Sequence, residues 1–262
     1  MRYFFEICYN GSRYSGWQSQ KNAISIQAVV EDSLSKLLRE ETEVTASGRT
    51  DAGVHCEQQF FHCDIHDILP ENFLFRLNSI LPADIAIKSI HQVPDDAHAR
   101  YSALERSYIY RITREKDPFK NGYAFYFFRD LDIQTMNEAA ALLVGTRNFE
   151  CFSKVKTDVS NFTCEVRKAG WFDHGTELEF HISANRFLRG MVRAIVGTLL
   201  DVGQQRTSVE DVEAILLSRD RREAGANVPA HGLYLTSVLY PQDIFIKRIF
   251  TNSTTSGQRT GK

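Results

Sequence analysis

The sequence predicts an α+β fold of two ferredoxin-like or RRM-like halves, with antiparallel sheets, helices on one face and a basic cleft between the halves. Three observations lead to this prediction. Strand and helix patterns follow one another as β-α-β-β-α-β over residues 2–93, a strand pattern begins again near Leu104, and arginines concentrate in two stretches of a nearly neutral chain.

The first half, residues 1–103, shows its elements through hydrophobic periodicity and turn residues. The aromatic segment 2–9 stops at the turn signal Asn10-Gly11, and residues 25–40 have helical spacing behind Ser25, a suitable N-cap. In order, we predict a strand over 2–9, a helix over 25–40, strands over 42–47 and 54–65, a helix opened by Pro70 over 70–79 and a strand over 84–93.

The second half, residues 104–245, repeats this mixture. Asp132 and Gly145 bound one helix, and Thr207 and Glu210 have the spacing of a capping box for another. In order, we predict a strand over 106–114, a helix over 132–145, strands over 163–172 and 176–183, helices over 186–202 and 208–217 and a strand over 233–240. Residues 246–262 are polar and predict a disordered tail.

Composition narrows the class of protein. With 43% hydrophobic and 24% charged residues, the chain resembles a soluble globular protein, and no apolar run reaches the length of a membrane span. The amino terminus lacks a secretion signal pattern, so we expect a cytoplasmic protein with no membrane partner. The five cysteines are odd in number and form no C-x-x-C, which favours reduced thiols over disulfides or a zinc ribbon.

The charge distribution allows a local nucleic-acid site. A net charge of −2 argues against binding through bulk positive charge. Residues 100–116 nevertheless hold five basic and two acidic residues, and residues 185–206 hold four arginines and one aspartate. We name these two segments the first and second basic stripes; each fits a solvated face as well as a binding surface.

Several common motifs are absent or incomplete. Gly11 and Gly16 have the spacing of a phosphate loop, but Trp17 stands where that loop needs lysine, so no nucleotide cofactor is expected. His62 and His66 lie in a strand pattern, too far apart for one ion, so no metal is expected. Two tyrosines on one strand face, as at 108 and 110, are more typical of a core.

One short stretch is harder to explain structurally. In "GRTDAGVH" an acid, Asp51, stands between Gly48 and Gly53 with Arg49 close by, and the strand pattern that follows offers no helix to cap. A carboxylate is ionised at neutral pH, and a neighbouring arginine favours that form. Asp51 is therefore a candidate nucleophile or electrostatic partner.

Seven segments of the sequence resemble the motifs of a known family. "NGSRYSGWQSQ", "GRTDAGVH", "LPADIAI", "VPDDAHARYSA", "RSYIY", "NRFLRGMVRAIVGTLLDVG" and "HGLYL" resemble, in order and spacing, the tRNA pseudouridine synthase I (TruA) family. The resemblance extends over nearly the whole chain to about residue 241. Several long motifs in register are far more specific than a lone R-T-D.

The resemblance implies an isomerase that converts uridine to pseudouridine at positions 38, 39 and 40 of the tRNA anticodon stem-loop, without cofactor or metal. It implies that Asp51 is the nucleophile, that Tyr108 stacks near the target base and takes part in proton transfer, and that Arg193 pairs with the aspartate. It also implies that Arg49 displaces the target base, that the two basic stripes bind phosphates, and that a homodimer holds one tRNA across both subunits.

The chain departs from the family pattern at two places, and other functions stay open. Gln58 replaces a usual glycine, and Arg189 with Gly190 stands where many members carry histidine. A non-catalytic RNA-binding protein that uses the same cleft is the alternative function. An aspartyl phosphotransferase would need a D-x-D after an apolar strand, which "RTDAGV" lacks.

Overall fold

Eleven strands and five α-helices form the part of the chain that the computed structural model describes, residues 1–155 and 159–251. The strands are β1 (Arg2–Tyr9), β2 (Thr45–Ala46), β3 (His55–Asp64), β4 (Ile85–Val93), β5 (Glu105–Thr113), β6 (Phe125–Tyr126), β7 (Gly145–Asn148), β8 (Thr163–Asp173), β9 (Glu177–Ala184), β10 (Leu233–Leu239) and β11 (Lys247–Thr251). The helices are α1 (Ile26–Leu38), α2 (Phe73–Ile80), α3 (Ile133–Ala141), α4 (Met191–Gly203) and α5 (Val209–Ser218). None of these helices is long and apolar enough to cross a membrane.

The first half has the predicted β-α-β-β-α-β order. β1 pairs antiparallel with both β3 and β4, and β2 pairs with β3. Helix α1 begins at Ser25, whose hydroxyl accepts a hydrogen bond from the Ala28 amide at 3.2 Å. Its buried positions, Ile26, Val30 and Leu34, repeat at the helical period that the sequence shows.

The second half is built around β5, β9, β8 and β7, each pairing antiparallel with the next. Helix α3 begins at Asp132, whose carboxylate accepts from the Thr135 amide at 3.1 Å, as the sequence predicts. The helix ends at Ala141, before the predicted stop at Gly145, because residues 142–144 form a turn that leads into β7.

Strand β10 joins the two halves into one sheet. It pairs antiparallel with β5 and parallel with β3, where Tyr234 lies opposite His55 and Leu235 opposite Cys56. The sheet order is β11-β4-β1-β3-β10-β5-β9-β8-β7, with β2 beside β3 and β6 beside β5. The prediction of a mixed α+β fold with mostly antiparallel pairing is confirmed, but the two sheets are continuous.

Three predicted elements differ in extent. Helix α4 begins at Met191, five residues after the predicted start at 186, because Gly190 has φ +74°, a left-handed conformation that a right-handed helix does not contain. The capping box of α5 is Ser208 with Asp211, one residue after the predicted pair. In the predicted disordered tail, residues 247–251 form β11 against β4, and residues 252–262 lie outside the described part.

Each face of the first half has its own aromatic packing, because neighbouring residues of a strand point to opposite faces. On one face, the Phe5 and Phe61 rings lie parallel at 4.9 Å. On the other face, Phe4 packs against Tyr240 and Phe245 at centroid distances of 5.2 and 6.3 Å. The end of the second half therefore covers the first half.

Candidate active site

The loop that contains Asp51 packs directly on the segment that resembles a phosphate loop. The Trp17 amide donates to the Thr50 carbonyl at 3.2 Å, and the Gly53 amide donates to the Tyr14 carbonyl at 3.2 Å. Gly16 has φ +88°, and a Cβ atom there would lie 2.3 Å from the Thr50 carbonyl oxygen. The two-glycine spacing therefore serves to cradle this loop, a role that the sequence interpretation did not consider.

A buried hydrogen-bond chain anchors Thr50. The Gln59 amide donates to the Tyr9 hydroxyl at 3.3 Å, and the Tyr9 and Thr50 hydroxyls are hydrogen-bonded to each other at 2.8 Å. Burial raises the pKa of Tyr9 well above its ordinary value, so this hydroxyl stays protonated. The chain fixes the backbone next to Asp51 while the Asp51 side chain stays 28% exposed.

Two arginines lie beside the Asp51 carboxylate. Arg193 Nη1 is 3.6 Å from Oδ2, and Arg189 Nε is 3.8 Å from Oδ1. Arg193 belongs to the first turn of α4 and also donates from Nε to the Val228 carbonyl at 2.7 Å. One cation therefore lies beside each oxygen of the carboxylate.

Tyr108 shares a small cavity with Asp51 and Arg193. The cavity has a volume of about 40 Å³, and its lining consists of Thr50, Asp51, Val54, Tyr108, Phe187, Leu188, Gly190, Met191, Val192, Arg193 and Leu233. Phe187 meets the Tyr108 ring edge-on at 5.1 Å. Burial raises the pKa of the Tyr108 phenol, so at neutral pH it is a protonated group that can donate.

The structure brings together three of the four site residues that the sequence predicts. Asp51 follows the cradle formed around Gly16, Tyr108 lies on β5 and Arg193 on α4, and all three line one cavity. Arg49 is two residues before Asp51 with an exposed side chain, and it is not among the lining residues. An acid, a phenol and a fixed cation thus face one small cavity.

Sequence comparison is consistent with this convergence. A family model described as tRNA pseudouridine synthase matches residues 7–102 and 139–241, which include Asp51 and Arg193. The chain belongs to the tRNA pseudouridine synthase family. Proteins named tRNA pseudouridine synthase A are similar over nearly their full lengths: that of Porphyromonas gingivalis is 46% identical over 94% of this chain and 99% of its own, and that of Bacillus subtilis 38% identical over 92% and 99%.

One partly buried cation in this tRNA pseudouridine synthase family member, Arg106, was given no structural role from sequence. Arg106 donates to the carbonyls of Ala103, Asn185 and Ser47 at 3.1, 2.7 and 3.0 Å. It therefore connects the loop before Asp51 with the segment that leads to Arg189. Strand alternation could have shown it, because Arg106 and Tyr108 must share a face.

Two arginines of the first basic stripe have acidic partners within the protein, and phosphate binding by this stripe stays a prediction. Arg111 pairs with Glu57 and Glu179 at 2.9 and 3.2 Å, and Arg114 pairs with Asp173 at 3.0 Å. The second stripe instead supplies Arg189 and Arg193 to the site.

The residues that depart from the family pattern have identifiable structural roles. Gln58 accepts from the Val238 amide at 3.2 Å and donates to Glu6 at 3.0 Å, and so connects β10 with β1. Gly190 ends the segment before α4 in its left-handed conformation. Arg189, the other residue of that departure, pairs with Asp51 at 3.8 Å, so this departure reaches the candidate nucleophile.

Residues with metal-binding chemistry are dispersed or already bonded. His62 Nδ1 accepts from the Ala99 amide at 3.2 Å, which ties β3 to the linker between the halves. Over residues 1–155 and 159–251, no three histidines, cysteines or acids lie close enough to hold one metal ion.

Proposed function

We propose that this protein is an isomerase that converts uridine to pseudouridine at positions 38, 39 and 40 of the tRNA anticodon stem-loop, with Asp51 as the nucleophile. The observation that supports this proposal is the convergence of Asp51, Tyr108 and Arg193 on one cavity in a member of this family. Three distant segments supply an acid, a proton donor and a cation.

The reaction rearranges bonds within one nucleotide. An N-glycosidic bond breaks, the detached uracil turns and a carbon–carbon bond forms to the same ribose, so substrate and product have the same atoms and oxidation state. The Asp51 carboxylate either adds covalently to the substrate or assists the loss of a ribose proton. Arg193, itself fixed by the Val228 carbonyl, orients the carboxylate for either step.

Tyr108 and the apolar lining have complementary tasks. The detached uracil must stay in place until it reattaches, and the walls formed by Val54, Leu188 and Leu233 keep bulk water away. The protonated Tyr108 offers its ring as a stacking surface and its hydroxyl as a proton donor. Forming the carbon–carbon bond requires that C5 lose its proton and that N1 gain one. The Tyr108 hydroxyl supplies the proton to N1 and is reprotonated by solvent, which also takes up the proton from C5.

Exposed residues around the cavity move the target base from the RNA stem into the site. A stacked nucleotide must leave its helix at a cost of a few kcal/mol. Arg49, exposed in the Asp51 loop, is the residue that we propose to take its place in the stem. We also propose a cytoplasmic homodimer in which one tRNA contacts both subunits, with the boundary between the halves at residues 103 and 104.

Asp51→Asn tests the proposal. It keeps the size of the side chain and removes the nucleophile, so turnover measured by tritium release from tRNA carrying 5-tritiated uridine should fall by about 10⁴-fold. The thermal midpoint and tRNA affinity should not fall. Asp32→Asn is the matched control, since Asp32 is an exposed acid paired with Lys36. Substantial turnover by a folded Asp51→Asn protein would contradict the role of Asp51.

The alternative, a non-catalytic RNA-binding protein, makes a different prediction for the unmodified protein. It predicts that tRNA binds and that no base changes. Chemical mapping of pseudouridine in tRNA treated with the protein decides between them, and uridine left intact at 38, 39 and 40 would overturn the proposed reaction.

A further inference from the structure

The two arginines beside Asp51 differ in how they are held. Arg193 is 21% exposed and has a second bond to the Val228 carbonyl. Arg189 is 62% exposed, and over residues 1–155 and 159–251 Asp51 is its only ion-pair partner. Its Nε atom faces the carboxylate at 3.8 Å, which is a weak, solvent-screened contact. The Arg193 side chain is therefore fixed, whereas the Arg189 side chain is free to exchange Asp51 for another partner.

The backbone of Arg189, in contrast, is fixed. Its carbonyl accepts from the Lys154 amide at 2.9 Å, and the Met191 amide closes a turn on the Leu188 carbonyl at 3.1 Å. Gly190 then starts α4. Any exchange of partner by Arg189 is consequently a rotation of its side chain about a fixed anchor.

The cavity is too small for a nucleotide base in this conformation. Its volume is about 40 Å³, whereas pockets that hold a ligand have volumes of about 300–1,000 Å³. A uracil ring therefore needs side chains to move. Phe187, half-buried against Tyr108, lies in the same fixed segment as the exposed Arg189.

We propose that the Arg189 side chain exchanges Asp51 for a tRNA phosphate when tRNA binds, and we call this residue the latch. In the free protein its guanidinium pairs with Asp51 Oδ1. When tRNA binds, the guanidinium moves to a backbone phosphate of the target nucleotide, and Arg193 keeps its contact with Oδ2. Arginine suits both partners because its planar donors match carboxylate and phosphate oxygens. This inference rests on the proposed function only in taking tRNA as the ligand.

The latch makes Asp51 a competitor of the substrate for one guanidinium. Neutralising Asp51 should then release Arg189 to the phosphate and tighten tRNA binding. Loss of a negative charge also tightens anion binding in general, so the single variant is not enough. The diagnostic quantity is the part of the gain that depends on Arg189, which a double-mutant cycle isolates.

The experiment measures dissociation constants of a full-length tRNA for four proteins: unmodified, Asp51→Asn, Arg189→Gln and the double variant. We expect Asp51→Asn to tighten binding by about fivefold in the Arg189 background and by less than about twofold in the Arg189→Gln background. Arg189→Gln alone should reduce the slope of log affinity against log salt by about 0.7 to 0.9.

Two further variants complete the design. Arg189→Lys keeps the charge, so it should keep the salt slope and confirm that any loss in Arg189→Gln is electrostatic. Arg222→Gln is the matched control, because Arg222 is an exposed arginine that pairs with Asp220 and not with Asp51. An equal gain from Asp51→Asn in both backgrounds, or an unchanged slope in Arg189→Gln, would overturn the latch.

The result is independent of turnover. If no pseudouridine forms but the cycle shows the Arg189-dependent gain, the reaction is wrong and the latch stands. If pseudouridine forms and the gain is equal in both backgrounds, the reaction stands and Arg189 has no such role.

Discussion

The position of Asp51 depends on a residue that has no side chain. Gly16 lets the chain pass within van der Waals reach of Thr50, and Tyr9 fixes Thr50 from the other side. Over residues 1–155 and 159–251, the ion pairs of the carboxylate oxygens are those with Arg189 and Arg193. The position of the Asp51 carboxylate is therefore set by the backbone packing beneath its loop.

Gly16→Ala should therefore move the Asp51 loop. The left-handed φ costs alanine about 1–2 kcal/mol, and the contact with the Thr50 carbonyl adds to this cost. We expect the free energy of unfolding in urea to fall by at least that amount, with lower turnover. Gly48→Ala is the matched stability control, since a Cβ atom there meets nothing within 4 Å. Equal stability of the two variants would contradict the cradle.

A buried histidine gives the protein a specific response to acid. Burial lowers the pKa of His62 to about 4, and the charges of Arg2 and His98 act in the same direction. Because the unfolded histidine titrates near 6.5, the stabilisation is complete above pH 6.5 and is lost as the pH falls toward 4. Protonation also places a positive charge on the nitrogen that accepts from the Ala99 amide.

His62→Gln should flatten this response. Between pH 6.5 and 4, the dependence of the unfolding free energy on pH should decrease by up to one proton, about 1.4 kcal/mol per pH unit. Urea unfolding at several pH values measures it. An undiminished slope in the variant would show that other groups cause the acid sensitivity.

At the scale of elements, the start of α5 has two overlapping capping-box spacings, and only one of them forms. Ser208 accepts from the Asp211 amide at 3.1 Å, and its own amide donates to the Asp211 carboxylate at 2.9 Å. Thr207 and Glu210 have the same spacing one residue earlier. Spacing alone does not decide between two overlapping capping boxes.

Ser208→Ala should destabilise the protein by about 1 kcal/mol, because the cap hydrogen bond to α5 is lost. Thr207→Ala should change the free energy of unfolding by less than about 0.5 kcal/mol. Urea unfolding of both variants gives the comparison. A larger loss in Thr207→Ala than in Ser208→Ala would restore the sequence-based choice of cap.

Hydrophobic periodicity predicted most helices and strands, because each of them is determined by residues within its own segment. Ser25 and Asp132 cap the helices that the sequence assigns to them. The start of α4 was wrong because Phe187 and Leu188 continue the apolar pattern, although Gly190 breaks the helix. The motifs pointed to Asp51, Tyr108 and Arg193, which line one cavity, and their roles stay predictions. Arg189 was missed as a partner because its contact depends on how distant segments meet.

At the scale of the whole molecule, β10 couples the halves through hydrogen bonds to both β3 and β5. The packing of Phe4 against Tyr240 and Phe245 adds a second connection. Neither half keeps all of its sheet partners if the other unfolds. Unfolding of either half therefore also removes residues of the candidate site, because Asp51 lies in the first half and Tyr108 and Arg193 lie in the second.

The two halves should consequently unfold together. The chain has two tryptophans, and Trp17 lies in the core of the first half while Trp171 lies in that of the second. In the Trp17→Phe and Trp171→Phe variants, the remaining tryptophan reports one half, and its fluorescence transition in urea should coincide with the circular dichroism transition. Separate midpoints in either variant would indicate halves that unfold independently.

The central place of β10 also bears on biosynthesis. Translation proceeds at about 5–20 residues per second, so the interval between the emergence of β3 and of β10 is on the order of ten to thirty seconds. Throughout that interval the edge of β3 that later bonds β10 is open to pairing with other nascent chains. A ribosome-bound intermediate with this edge exposed is therefore the species from which we expect chaperone dependence and aggregation to arise.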